Sequence, residues 1–398
     1  MTGSEQSAPT FDLTSVEFWS SDPWPALAWM RASAPVHFDG TVWGIARHSD
    51  IKWVSANPSI FSNAQGARPD VPAMPFMIDM DDPEHLRRRR VVNRWFTPKR
   101  IAGLHDQMVE VTDEVIDTLC ERGSCDAVMD LCAWLPMHVI GDMLGFPIDQ
   151  RAELLKWSDD MLNAVGSDDA DAVERAGAAF AGFSGFATEA IARRREDPGD
   201  DLLSVLVSSS DEELDEGQLL YEALLLLIGG DETTRHVLSG GLQMLLLHPE
   251  QRDRMLSDRS LIPTAAEEML RWVSPVKGMA RTLTTDIDLH GQHLEAGQKA
   301  MLLYPSANRD ETIFDDPETF DIGRQPNDHL AFGVGPHFCL GASLARMELR
   351  SFFEVVFDRL PGLRLDGEPR WRRTNFIRGL EELPVSFTPT APLGSRSS

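Results

Sequence analysis

The ten residues Phe332-Gly333-Val334-Gly335-Pro336-His337-Phe338-Cys339-Leu340-Gly341 hold three glycines, a proline and one cysteine, and run straight into a helical pattern, Ala342 to Leu349. Glycines on both sides of a cysteine let the backbone approach something large and flat, and let amide N–H groups point at the sulfur. Such donors, with a helix N-terminus close by, lower a thiol's pKa and stabilise the thiolate, the form that binds metals and attacks electrophiles. Cys339 is therefore the first candidate for chemistry; the alternative is a buried structural thiol in a Gly-rich turn. The other cysteines, Cys120, Cys125 and Cys132, stand five and seven apart with no histidine to complete a zinc set, and read as small core residues.

A second candidate interrupts an otherwise apolar helix. Tyr221 to Ile228 is nearly all aliphatic, and Gly229-Gly230-Asp231-Glu232-Thr233-Thr234 follows at once. Each glycine costs about 1 kcal/mol against alanine in a helix interior, so a purely structural helix has no reason to accept two. Glycine would let a flat group come close to the backbone, and a carboxylate followed by a hydroxyl can relay protons from solvent. The alternative is two helices joined at a Gly-Gly hinge. Asp231 falls on a different helical face and reads as structural.

Cationic residues complete the set. His85 and Arg89 lie four apart on one helical face, ready to grip a carboxylate, and Arg281 follows Ser274-Pro275-Val276 by a short extended stretch. A Glu-x-x-Arg pair occurs three times, at Glu84/Arg87, Glu232/Arg235 and Glu268/Arg271, and is ordinarily a solvent-face ion pair. Only Glu268/Arg271 lies between the interrupted helix and the cysteine loop. Residues 87–100 carry seven of the 37 basic side chains and no acid, which reads either as a solvated helix face or as a docking surface for an acidic partner.

The elements that must position these residues are mostly helical. Helical periodicity marks Ile101 to Leu119 and about 136–145, 150–165, 172–195, Leu214 to His248 and Pro263 to Trp272. A small hairpin is expected over Val36 to Val54, with Asp39-Gly40 as its turn, and short strands near Thr282 to Lys299 and after Trp371. These patterns predict a mainly α chain with small β-sheets, forming a single domain over 1–398 with frayed tails at 1–10 and 389–398. The 398 residues carry a formal net charge of −26, which speaks against nucleic acid as a partner. No stretch approaches a membrane span and no signal segment is evident, so a cytoplasmic location is expected. Neither a Gly-x-Gly-x-x-Gly turn nor a Walker loop is present, so electrons for any redox chemistry must come from a separate protein.

The order Phe332-x-x-Gly335-x-His337-x-Cys339-x-Gly341 resembles the haem-binding signature of the haem-thiolate monooxygenases, the cytochrome P-450 superfamily. By that resemblance the chain has the cytochrome P-450 fold and binds haem b, with Cys339 as axial iron ligand and His337, His85, Arg89 and Arg281 meeting the propionates. Gly-Gly-x-Glu-Thr matches the family's acid–alcohol pair, so Glu232 and Thr233 take the catalytic proton-supply roles, and Glu268/Arg271 is the structural pair beside the haem. Substrate contacts would come from Met74, Phe76 and Met77, from Leu225 to Ile228, from Val276 and Met279, and from Phe376 and Ile377; these are apolar, with flexible methionines suited to an irregular hydrophobic ligand.

Phe61-Ser-Asn-Ala, Ile78-Asp-Met-Asp-Asp-Pro, the segment Leu227 to His236, Ala331 to Gly341 and the closing Phe387-Thr-Pro are similar, more narrowly, to actinobacterial steroid side-chain monooxygenases, over about Phe18 to Pro392. That implies hydroxylation of the terminal methyl of a cholesterol or cholest-4-en-3-one side chain, continuing in some members to the acid. It also implies O2 as oxidant, with electrons from a ferredoxin and its reductase arriving at the basic run 87–100. The alternatives are the same chemistry on a macrolide, terpene or fatty acid, a peroxide-using hydroxylase, or a non-catalytic haem-thiolate sensor.

Overall fold

The computed structural model describes residues 9–165, 167, 169–208 and 214–394. The helix over Glu216–Leu247 is the organising element. Its start is fixed by a capping box, in which Asp215 Oδ1 accepts from the Gln218 N–H at 2.8 Å and Gln218 Oε1 accepts from the Asp215 N–H at 3.1 Å. It then runs 32 residues without a break, about 48 Å at 1.5 Å per residue. The Gly-Gly hinge is therefore not what these residues build. Cβ atoms at Gly230, Gly240 and Gly241 would sit 2.7 Å from Ile140, 2.8 Å from Val273 and 2.7 Å from Met269. Those glycines let helices Trp134–Met143 and Ile262–Val273 pack close against the long helix, whereas a Cβ at Gly229 would meet nothing within 4 Å.

The other helices appear close to where periodicity placed them, at Trp134–Met143, Arg151–Asn163, Ala170–Glu196 and Ala342–Arg359. Two expectations are corrected. The pattern over Ile101 to Leu119 is divided into Pro98–Ala102 and His105–Asp117, with Gly103 and Leu104 between. The hairpin is only Val36–Phe38 with Trp43–Ile45, its turn held by Asp39 Oδ1, which accepts from the Thr41 and Val42 N–H groups. From His48 the chain is helical to Ala56, because His48, Ile51, Val54 and Ser55 bury one face. Of the tails expected to fray, 1–8 and 395–398 lie outside the described residues. Within 389–394, Thr390 N–H donates to Cys120 O at 3.0 Å, and Leu393 and Gly394 donate to the Asp117 carboxylate.

The largest sheet has five strands in the order Val36–Phe38, Trp43–Ile45, Lys299–Leu302, Met279–Leu283, Phe61–Ser62. Trp43–Ile45 pairs in parallel with Lys299–Leu302 and every other pairing is antiparallel. Arg281 thus sits on an interior strand, rigidly placed. No helix among the described residues is long and apolar enough to cross a membrane.

Glu268 and Arg271 form the hub that ties this frame to the cysteine loop. Both are fully buried and pair bidentately at 2.7 and 2.8 Å. Arg271 also donates to the carbonyls of Asn308, Pro317 and Thr319, and Glu268 accepts from Asp321 N–H, Arg324 and Asn327. One ion pair therefore fixes the irregular segment 308–327 that leads into residues 332–341. Glu268→Ala would leave two arginines facing a buried void, so it should cost about 3–5 kcal/mol. Urea unfolding against exposed Glu250→Ala checks this; equal midpoints would remove the hub role.

Candidate functional site

Apart from Glu232, the residues singled out for chemistry gather around one cavity, about 1500 Å³ of space with its solvent-open mouth included. On one side lies the loop 332–341. Gly333 and Gly335 have φ of +65° and +81°, the left-handed region that favours glycine. A Cβ at Gly335 would lie 2.5 Å from Ser55 O, so the loop cannot hold its course with another residue there. Cys339 N–H donates to Phe332 O at 2.9 Å, which turns the sulfur towards the cavity. Burial pushes the thiol pKa up, while the Gly341 N–H, Arg89 and Arg346 oppose it. Gly341, at the start of helix Ala342–Arg359, would present a Cβ to open space.

The middle of the long helix forms the facing wall, with Gly229, Gly230, Thr233, Thr234 and Val237 lining the cavity. Thr233 Oγ1 donates back to Gly229 O at 3.1 Å, so its oxygen lone pairs are left for the cavity. Glu232 does not share that face. It is fully buried behind the wall, paired with Arg235 and with His236 Nε2 at 3.2 Å, with Arg372 Nη1 at 3.8 Å. Burial would raise its pKa, but the Arg235 and Arg372 guanidiniums outweigh that and hold the carboxyl well below the ordinary range. Its neighbour Asp231 is also fully buried and is pushed up to about 7, by burial first, against Arg235.

His85, Arg89, Arg281 and His337 all reach the cavity. The His85 and His337 rings lie 4.0 Å apart at 32°, with His85 Nδ1 3.0 Å from Asp82 Oδ1. Arg89 donates to Pro336 O at 2.9 Å and to Phe338 O. Arg281, 5% exposed, donates to Ala280 O at 2.8 Å beside Tyr304. Burial, then His85, Arg281 and Arg89, push His337 down to about 3, so its ring is neutral at pH 7. Four basic side chains brought to one cavity suit a group with anionic arms, and open space beside Gly229 and Gly341 suits a flat one. The residues present fit a haem whose iron faces a thiol.

The substrate positions divide. Met77, Leu225, Val276 and Met279 line the cavity; Met74, Phe76, Phe376 and Ile377 do not. Phe76 packs edge-on against Tyr221 at 5.5 Å, Phe376 lies under the Arg68 guanidinium at 4.5 Å, Ile377 is buried in a backbone bridge with Val276, and Met74 is held by Asp79 Oδ2. The basic run also divides. Arg88 is buried against Glu222, Arg87 pairs with Glu84, Arg89 faces the cavity, and Arg100 stacks on Trp95 at 3.6 Å and pairs with Asp200. The exposed charge is Arg90, Arg94 and Lys99.

Several lining residues escaped the sequence pattern, among them Phe96, Ile140, Tyr304 and the acid Glu348. Glu348 is 1% exposed, raised well above the ordinary carboxyl pKa by burial against a hydrogen bond from Thr234. Its signal is an acid four residues after Leu344, on an apolar helical stripe.

Comparison with known proteins agrees with this geometry. The sequence profile described as Cytochrome P-450 matches residues 61–361. A steroid C26-monooxygenase of Mycobacterium tuberculosis is 51% identical over 397 residues, covering 97% of this chain and 99% of the relative. A methyl-branched lipid omega-hydroxylase of Mycobacterium tuberculosis is 36% identical, covering 95% and 94%. The structure of a Mycobacterium marinum cytochrome P-450 in complex with pseudoionone superimposes with a TM-score of 0.89 at 31% identity, covering 96% and 100%.

The cationic cradle makes a direct prediction. Arg281→Ala should speed haem loss by about tenfold, the equivalent of one charge-assisted hydrogen bond, as read by haem transfer to apomyoglobin. An unchanged rate would remove Arg281 from the cradle.

Proposed function

The chain belongs to the cytochrome P-450 family, and from that premise we propose that it hydroxylates the terminal methyl of a steroid side chain, cholesterol or cholest-4-en-3-one, and can carry the product on to the acid. The observation that carries this is the apolar wall formed by Met77, Leu225, Val276 and Met279 around the space between Cys339 and Thr233. A terminal methyl has the strongest C–H bonds of such a side chain, so regiochemistry has to come from a cavity that presents only that end. Held in this cradle with the Cys339 thiolate as its ligand, haem would supply the reductive activation of dioxygen and the insertion of one oxygen atom into an unactivated C–H bond.

The protein's own groups divide the remaining work. Cys339 is the ligand, its charge supported by the Gly341 N–H, Arg89 and Arg346. His85, Arg89, Arg281 and His337 would hold the propionates. Thr233, its proton donated to Gly229 O, can accept a hydrogen bond from a protonated group in the cavity. Glu232 stays ionised behind the wall, held by Arg235, so its part in proton supply would run through His236 rather than as a free acid facing the cavity.

Within this reading electrons come from a ferredoxin, reduced by its own reductase, at a cytoplasmic location. The support is local charge on an acidic protein: Arg90, Arg94 and Lys99 are exposed, as is Leu86 on the same helix as Arg90 at 37%. A steroid side chain and a methyl-branched lipid share a branched aliphatic end, so the lipid is the second reading, favoured by the 36% identical relative.

Titration of the holoprotein with cholest-4-en-3-one should shift its spin state at lower concentration than a methyl-branched fatty acid does. No steroid response, with a normal ferrous–CO band, would sink the substrate and leave the family. Reversing Arg90, Arg94 and Lys99 to Glu should abolish most ferredoxin-supported turnover and flatten its salt dependence. Unchanged turnover would place docking elsewhere.

A further inference from the structure

One buried ion pair has no part in the chemistry proposed for the cavity. Arg88, on helix Glu84–Asn93, and Glu222, on the long helix, are 4% and 0% exposed. Arg88 Nη1 donates to Glu222 Oε1 at 2.9 Å and to Pro75 O at 3.0 Å. The same Glu222 oxygen accepts from the Met77 N–H at 3.0 Å, and the other oxygen has no hydrogen-bond partner among the described residues. Arg88 Nε is taken by Glu84 at 2.9 Å.

The helical register explains what this joins. Glu222 precedes Thr233 by three turns on the stripe that includes Leu226, Gly229, Thr233 and Val237, four residues that line the cavity. Arg88 adjoins Arg89, on the helix that also carries His85. The pair therefore ties the cofactor-gripping helix, the cavity-lining helix and the segment 75–77 at one point, and Met77 beside it lines the cavity. A buried ion pair can usually be replaced by an apolar pair without loss of stability, so stability alone does not account for this one, with its idle oxygen. What an apolar pair cannot do is hold the Met77 N–H and the Pro75 carbonyl.

We propose that Arg88 and Glu222 are positioning residues that fix Met77 over the cavity, and so set the size of the apolar ligand it accepts. This rests on the cavity being the ligand site of the proposed function, whichever apolar ligand is native. The test uses holoprotein in three forms: wild type, Glu222→Gln, and the double variant Arg88→Leu/Glu222→Leu. The probes are imidazole, which needs little room, and clotrimazole, which fills the cavity, each followed by its Soret shift, with hydrogen exchange at residues 74–79.

In the double variant, exchange at Met77 should accelerate and clotrimazole affinity should change by about fivefold or more, with imidazole affinity within about twofold of wild type. Glu222→Gln offers Met77 a weaker acceptor than a carboxylate, and should accelerate exchange by less. Wild-type exchange and clotrimazole affinity in a folded double variant overturn the proposal. So does an equal change for both azoles, which would mean a damaged haem site. If the double variant takes up no haem, Glu222→Gln decides, and unchanged exchange at Met77 counts against the proposal. A wild-type protein that ignores the steroid would end the substrate reading alone, because neither azole depends on it.

Discussion

A charged sulfur must be kept in a place that disfavours charge. Burial pushes the Cys339 thiol up, and the proposed chemistry needs it as thiolate. The fold answers with fixed dipoles and cations: the Gly341 N–H at the start of a helix, Arg89 against the loop carbonyls, and Arg346 behind it. Arg346 is itself held by Glu267 at 2.7 and 2.9 Å and lies over the Phe332 ring at 4.6 Å. The neighbouring Glu268 holds Arg271 and the segment 308–327. Two adjacent acids on one helix thus serve two tasks, one steadying the cation near the sulfur and the other fixing the chain that delivers the loop.

Much of this arrangement is legible in the amino-acid sequence alone, for identifiable reasons. The cysteine loop is legible because its glycines are required by backbone conformation and close approach, which leave a direct trace in sequence. His85 and Arg89 are legible because helical spacing alone puts them on one face. The long helix is legible in extent, but the roles of its glycines are not, since a glycine facing a cavity and one facing Ile140 look identical in sequence. Exposure is the least legible quantity. Seven basic residues within a run of fourteen give no sign that Arg88 is buried, because its partner Glu222 lies 134 residues away. Phe76, Phe376 and Ile377 fail as lining residues for a similar reason: an apolar residue near a cavity can turn towards it or pack behind it, and Tyr221, Arg68 and Val276 decide.

The divided run has a consequence for how one short helix works. Residues 84–90 face three environments at once. Glu84 and Arg87 pair on the rim, His85 and Arg89 enter the cavity, and Arg88 reaches the long helix. Arg90 alone of these is left as exposed charge. An external electron donor docking there would therefore press on the same helix that grips the cofactor and steadies Met77.

The back of the cavity wall extends this logic. Asp231, Glu232, Arg235 and His236 are all fully buried, and charges so placed must be paired or neutralised. Arg235 and Arg372 hold Glu232 ionised, while Asp231, next in sequence, is pushed up to about 7 by burial. His236 is pushed down to about 4 by burial and so stays neutral. Two adjacent acids on one helix are thereby pushed in opposite directions from the ordinary carboxyl pKa by where their side chains point. Charge is concentrated behind the helix, while its cavity face presents Leu225, Leu226 and Val237 with glycines and hydroxyls, and the burial of Glu348 on the helix Ala342–Arg359 favours its neutral form. An ionised ligand would find no ready counter-charge on that wall, whereas an apolar one loses nothing by lying against it.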